Sequence, residues 1–174
     1  MGPGLALKVI GGKRFSVLAF GLSQVAIDIE PLIGLLRGAS TLQGWTHTFV
    51  GATAIGLAVA VVSAPPCRAI LRMWNRVLEE SGFARLQSAA TPRSGALFAG
   101  ALLGAWTHVL LDGVMHADLH PFAPWSQEQP WWRLIDIGWL HLGCVLAGVA
   151  GLMGLWLRVW MQGRDRGRGS PRPE

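Results

Sequence analysis

Histidine and aspartate recur at helical spacing within one apolar stretch of the chain. His108, Asp112 and His116 lie four residues apart in "THVLLDGVMH". On an α-helix each step of four residues turns through about 40°, so the three side chains form one stripe. An imidazole and a carboxylate on adjacent turns can bind one divalent cation. They can equally hydrogen-bond to each other inside a helix bundle, and the spacing alone leaves both interpretations open.

Two earlier segments carry further ligand types. "AIDIEP" places Asp28 and Glu30 just before Pro31, where we expect the first apolar helix to end. Carboxylates that converge in a turn repel each other, which favours a shared cation, although a solvated helix end explains them as well. In "GWTHT", Thr46 is expected to cap the second helix and His47 to lie in its first turn.

The remaining candidates follow the stripe. Asp118 and His120 lie in a loop rich in proline and aromatic residues, and His141 begins the last apolar segment. Cys67 and Cys144 are far apart, so neither a thiolate site nor a disulfide framework is expected. A mixed set of imidazoles and carboxylates without thiolates, larger than a structural zinc site needs, indicates a hydrolytic centre with one or more metal ions.

The elements that must position these residues are apolar helices. Hydrophobic residues make up 51% of the 174 residues and charged residues only 14%, against about 25% charged residues in an average soluble domain. We therefore expect an all-α integral membrane bundle of about four transmembrane helices. The segments expected to form them are 5–29, Trp45–Ala64, Ser94–His116 and Gly138–Trp160.

The boundaries of this domain follow from composition. Residues 1–162 are expected to form a single helical membrane domain, and the basic stretch 163–174 a disordered cytoplasmic tail. The first apolar segment resembles a signal peptide in its basic start, but "LSQVAID" is a poor cleavage site, so a retained helix is favoured. Repeated glycines, such as Gly104 and Gly151, predict close helix contacts in lipid.

Basic residues are unevenly distributed among the connecting segments. Arg68, Arg72 and Arg76 share one face of an expected amphipathic helix on the membrane surface after Pro65-Pro66. With four spans, all lysines and arginines except Arg37 and Arg133 fall on one side, so the positive-inside rule predicts an N-in, C-in topology. The net charge of +5 is then explained by orientation and anionic lipid, without nucleic acid.

The same topology gathers the candidate ligands. All five histidines fall at the outer ends of the spans or in the outer loops, together with most of the acidic residues. Residues distant in sequence are thus expected to converge on the outer membrane face, where charged groups cost less than at the bilayer centre.

"DIEP", "GWTHT" and "THVLLDGVMHADLHPFAPWS" together resemble a known family. They look like the YdjM-like, LexA-binding inner-membrane proteins, a family of membrane-bound metal-dependent hydrolases distantly similar to zinc-dependent phospholipase C and P1-type nucleases. The resemblance covers about residues 24–125. It implies a bacterial inner-membrane location and a divalent metal, with zinc expected. The metal ligands it implies are Asp28, His47, His108 and Asp112.

Departures from the family pattern bear on the substrate contacts. Glu30 stands where the relatives tend to have aspartate, and Gln43 stands where many have a basic residue, which puts an anion contact there in doubt. Besides the ligands, Glu30, His116 and Asp118 are the candidates for completing the site or acting as a catalytic base.

The predicted function is a membrane-embedded hydrolase, with a phosphoesterase acting on a lipid or envelope substrate at the outer face as the leading hypothesis. Two alternatives remain. One is a non-enzymatic protein with a structural metal site, a scaffold or transporter component. The other is a regulatory protein that binds a partner through the arginine-bearing helix.

Overall fold

The chain folds into helices joined by short turns. The structure, a computed structural model, describes residues 2–39 and 44–168, and within these ranges it has no strand. Short 3-10 turns precede α2 and α4 and follow α5. The helices are α1 (Gly2–Gly11), α2 (Val17–Ile27), α3 (Ile29–Leu36), α4 (Phe49–Val62), α5 (Ala64–Glu80), α6 (Ser94–Met115) and α7 (Ile137–Arg168). The all-α prediction is confirmed.

Three stretches of helix are long and apolar enough to cross a membrane: Val17–Leu36, Ser94–Met115 and Ile137–Met161. A fourth arises only if α4 and α5, bent by 60° at their junction, count as one span. About four apolar helices were expected, and this coarse prediction is confirmed by length and composition.

The junction between α4 and α5 lies where two prolines were expected to stop a helix. α4 ends at Val62, and Pro65 and Pro66 occupy the first turn of α5, where a missing backbone N–H costs nothing. α5 leaves Met73 and Trp74 exposed beside its arginines. The expected amphipathic helix is therefore present, and its position on a membrane surface stays a prediction.

The first apolar segment differs from its predicted form. Residues 5–29 were expected to make one helix, but α1 ends at Gly11, and Gly12 adopts φ +50°, a conformation that suits glycine. The side-chain amine of Lys8 donates to the carbonyls of Gly12 and Phe15, at 2.8 and 2.7 Å, and so satisfies backbone groups in the turn between α1 and α2. The candidate span consequently starts at Val17.

Pro31 does not end the first span, contrary to expectation. Only Asp28 separates α2 from α3, and Pro31 lies in the first turn of α3. Proline is tolerated there because the first N–H groups of a helix have no partner within the helix. The helical path therefore continues to Leu36.

The core is formed by α2, α4 and α6. Gly100 and Gly104 of α6 lie directly against α2, and a Cβ at Gly104 would overlap the backbone of Phe20 and the side chain of Ser23. α2 and α6 run in parallel, since the N–H of Ser16 donates to the carbonyl of Ala96 at their starting ends (3.1 Å). Their far ends therefore lie side by side.

α7 packs chiefly against α1 and only lightly against α6. Gly2 approaches Cys144, and further along both helices Val9 approaches Gly154, so α1 and α7 run parallel. Gly151, predicted to allow a close helix contact, indeed lies against α1. α1 thus fills the space beside only part of α7.

α7 continues past the boundary predicted for the tail. Residues 163–168 belong to the helix, whereas residues 169–174 lie outside the described residues.

The segment between α6 and α7 is fastened to the end of the bundle. Its Leu119 is buried, and Phe122 and Trp131 pack against Phe49 at the start of α4, the first tilted and the second edge-on. The N–H of Phe49 donates to the carbonyl of Pro121 at 2.9 Å. The start of α4 is thereby held close to the end of α6.

Candidate metal centre

Two histidines and two aspartates converge where the ends of α2 and α6 meet the start of α4. Asp28, His47, His108 and Asp112 each offer one ligand atom, and the four atoms lie within 4.8 Å of one another. These are the four residues expected as metal ligands. Asp28 follows α2, His47 precedes α4, and the other two lie on successive turns of α6.

Three of the four distances between histidine and aspartate atoms in this group are close to the spacing of ligands around a small cation. Nε2 of His108 lies 3.1 Å from Oδ1 of Asp28 and 3.3 Å from Oδ2 of Asp112. Nε2 of His47 lies 3.4 Å from the same Asp112 oxygen and 3.9 Å from Asp28. Zinc–ligand bonds of about 2.0–2.1 Å in a tetrahedron would place ligand atoms about 3.3–3.4 Å apart.

The buried Nε2 of His108 provides a separate test of the fit. It makes no hydrogen bond to any described residue, although two carboxylate oxygens lie 3.1 and 3.3 Å away. A buried polar atom without a partner is costly. A divalent cation would bind the lone pair of this nitrogen together with the two carboxylate oxygens beside it. The donor set therefore fits a metal.

On the side of its ring away from the other ligands, His47 contacts a hydroxyl that is itself hydrogen-bonded to a carboxylate. Its Nδ1 lies 3.1 Å from Oγ1 of Thr46, and that hydroxyl donates to Oε2 of Glu30. The N–H of Thr46 donates to the same carboxylate oxygen at 2.8 Å. Because a hydroxyl that donates to Glu30 accepts from Nδ1–H, the lone pair of His47 is left on Nε2, which faces the other ligands.

Thr46 therefore has a role different from the predicted one. The residue that caps α4 is Thr48, whose side chain accepts from the N–H of Gly51 at 3.0 Å. Thr46 and His47 lie in the 3-10 turn before it. This turn points the imidazole into the bundle, where His47 is 1% exposed.

The predicted stripe on α6 ends at Asp112. α6 ends at Met115, and His116 is extended, with φ −116° and ψ 123°, so it departs from the helical face. His116 and Asp118 are both exposed and are not among the four converging residues. Their catalytic roles stay predictions. His120, for its part, contacts the carbonyl of Gln127 through Nδ1 at 2.7 Å.

A cleft of about 400 Å³ opens beside the four residues, between α7 and the pair α2 and α6. Asp28, His108 and Asp112 form part of its wall. His47 does not line the cleft, so it approaches the centre from the protein side. A metal bound to the group would therefore be reached from the cleft.

Two further polar side chains line the cleft, of which Gln24 was not singled out in the sequence and His141 was a candidate without a specific role. Gln24 lies one turn before Asp28, and His141 faces it from α7. Nδ1 of His141 lies 2.8 Å from the carbonyl of Ile137, so it is the protonated nitrogen and leaves Nε2 as an acceptor. Gln24 could have been found from its spacing of four residues from Asp28, whereas the place of His141 in the cleft could not be predicted, because it depends on how α7 packs.

No known protein family, curated protein or solved structure matches the chain. The site is therefore interpreted from its own geometry.

Proposed function

We propose that this protein is a membrane-embedded metal-dependent hydrolase, related to the YdjM-like family, that cleaves a phosphoester of a lipid or another envelope component. The observation that carries the proposal is the convergence of four ligand atoms, from three separate parts of the chain, beside an open cleft. The motifs that resemble the family contain these four residues and the start of the loop that fastens α4 to α6.

Asp28, His47, His108 and Asp112 would hold the metal. A zinc ion in this position would lower the pKa of a coordinated water and stabilise negative charge on a phosphoryl oxygen. The protein orients His47 through Thr46, and the ligand-bearing ends of α2 and α6 are held together by close packing. His141, with an acceptor nitrogen in the cleft, is placed to bind or accept a proton from a substrate group.

The exposure of Asp28 favours a catalytic site over a structural one. Its side chain is 58% exposed and faces the cleft, while that of His47 is only 2% exposed. Structural zinc sites are closed by their four protein ligands, and catalytic sites keep a position open to water or substrate. A site with one solvent-facing side supports turnover rather than a scaffold role.

We place the centre at the outer face of a bacterial inner membrane. The starts of α2 and α6 lie at the end of the bundle opposite the four residues, and basic residues cluster near that end, including Arg14 and Arg93. By the positive-inside rule this end is cytoplasmic. Membrane lipid is the expected partner, and nucleic acid is not.

Metal analysis of the detergent-purified protein tests the proposal. We expect bound zinc in the wild type, and its loss from His108→Ala and Asp112→Ala. His120→Ala, which alters a histidine outside the group, should retain it and serves as the matched control. The loaded protein should hydrolyse a soluble aryl phosphate, and the two ligand variants should not.

Two results would separate the alternatives. Metal that binds in the wild type without any phosphoester hydrolysis would favour the structural site. Metal content that is the same in His108→Ala, Asp112→Ala and the wild type would rule out the centre altogether.

A further inference from the structure

The cleft beside the four residues has two chemically different parts. The polar groups of Asp28, His108 and Asp112 form one side of it, and Gln24 and His141 add two more polar side chains. The remaining wall is mostly apolar and comes from three helices; its apolar side chains are Val25 of α2, Leu111 and Met115 of α6, and Leu140 of α7. A ligand that fills the cleft therefore contacts the carboxylates and imidazoles with a polar group and the neighbouring aliphatic side chains with an apolar one.

The opening exists because α1 supports only part of α7. α1 begins beside Cys144 and continues past Gly154, so it fills the space next to that stretch of α7. Between Ile137 and Cys144, α7 touches α6 only lightly, and the cleft occupies the space between them. Cys144 marks the boundary, since its backbone meets Gly2 and the residue lines the cleft.

The cleft lies between helices that are apolar enough to cross a membrane. α6 and α7 each provide a candidate span, and α2 starts the third. Val25 is 65% exposed, and on the outward side of α7 Leu142 and Val145 are exposed too. If these helices lie in a bilayer, the cleft opens sideways towards the lipid chains as well as towards the polar surface.

We propose that the cleft binds a lipid phosphoester that enters sideways from the bilayer. Its phosphate group lies at the four metal-binding residues, and its acyl chain runs from there between the helices towards the bilayer interior, against Val25, Leu111 and Cys144. This assignment rests on the proposed metal centre and names the substrate class of the same site.

Size and charge agree with such a ligand. A volume of about 400 Å³ is within the range of about 300–1,000 Å³ for small-molecule sites. It suits a head group with the upper part of one chain, while the rest of the lipid stays in the bilayer. No lysine or arginine lines the cleft among the described residues, so the carboxylates of Asp28 and Asp112 would repel a phosphate unless a cation lies between them. Lipid binding should therefore require the metal.

Photochemical labelling tests where the lipid binds. The full chain would be reconstituted with zinc in phosphatidylcholine nanodiscs that contain a small fraction of phosphatidate with a diazirine in its acyl chain. Adducts would be mapped by mass spectrometry after illumination. We expect them to concentrate severalfold in 21–25, 111–115 and 140–144 over other exposed helix surfaces, and to fall to the background level when the metal is chelated.

Variants on the two walls test the cleft itself. Leu140→Trp fills it from α7 and Met115→Trp from α6, and both should reduce the adducts severalfold. Val145→Trp adds the same bulk to α7 outside the cleft and should leave the adducts unchanged. Unlabelled phosphatidate should compete, whereas inorganic phosphate at the same concentration should compete far less.

Labelling does not depend on turnover, so the two proposals fail separately. Metal-dependent adducts in the cleft without hydrolysis of any phosphoester would support the lipid site and contradict the hydrolase. Adducts that follow surface exposure alone, or that both wall variants leave unchanged, would overturn the lipid site. Equal competition by inorganic phosphate would show that the site recognises the phosphate without its acyl chain, which would also overturn it.

Discussion

At the scale of single residues, the orientation of His47 depends on its neighbour. Thr46 links the carboxylate of Glu30 to Nδ1 of the imidazole. Glu30 was predicted to complete the site or act as a base, but its carboxylate is engaged by the N–H and the hydroxyl of Thr46. This geometry favours a role in which Glu30 positions His47 through Thr46.

Replacing Thr46 tests this arrangement. Thr46→Val keeps the shape of the side chain but removes the acceptor for Nδ1–H, and we expect metal affinity to fall by about 10–100-fold, as for other groups that orient metal-bound histidines. Thr46→Ser restores the hydroxyl and should restore most of the affinity. Competition with a zinc-binding dye measures both, and equal affinity in the wild type and the valine variant would contradict the role.

At the scale of the helices, the site depends on how closely α2 approaches α6. Gly104 lies one turn before His108 and contacts the backbone of Phe20, two turns before Asp28. The absence of a side chain at Gly104 thus sets the distance between an aspartate on one helix and a histidine on the other. Small residues at this contact are part of the site's geometry.

Gly104→Ala should both destabilise the bundle and weaken the site. The added methyl group meets Ser23 and Phe20, and overpacking of this kind costs about 1–3 kcal/mol. We expect a lower melting temperature in detergent and reduced zinc content. Gly95→Ala is the matched control, since a Cβ there meets nothing within 4 Å. The same melting temperature and zinc content in both variants would show that the contact does not position the ligands.

At the scale of the whole molecule, the two ends of the bundle have different chemistry. The four converging residues and the loop that follows α6 occupy one end, and the starts of α2 and α6 occupy the other. α5 follows the opposite end of α4 and carries Arg68, Arg72 and Arg76. This separation agrees with an orientation in which the metal centre faces away from the cytoplasm.

Thiol labelling in intact cells tests the orientation. In a chain with Cys67→Ser and Cys144→Ser, a membrane-impermeant maleimide should modify Glu128→Cys, in the loop before α7, and not Ser88→Cys, after α5. Both residues are exposed. Ser88→Cys should react only after the cells are broken, which controls for its accessibility. Labelling of Ser88→Cys alone in intact cells would mean that the topology is inverted.

Much of the architecture could be read from local patterns. Apolar length predicted the spans of α6 and α7, and Pro65-Pro66 predicted the boundary before α5. The break at Gly12 was missed because a glycine in an apolar run also occurs within helices, and the decisive contacts of Lys8 involve backbone carbonyls. Pro31 was wrongly predicted to end the first helix, because proline is also tolerated in the first turn of a new helix.

The sequence by itself determined the chemical types and the order of the four candidate ligands, because His108 and Asp112 share a helix face and the motifs around Asp28 and His47 resemble those of a family. Only the tertiary structure decided which groups meet. It brought Asp28 to His108 through the glycine contact of α2 with α6, turned Thr46 from a cap into a support for His47, and moved His116 away from the stripe. The tertiary structure also created the cleft, because the space beside α7 depends on where α1 packs. No local sequence pattern encodes the position of α1 along α7.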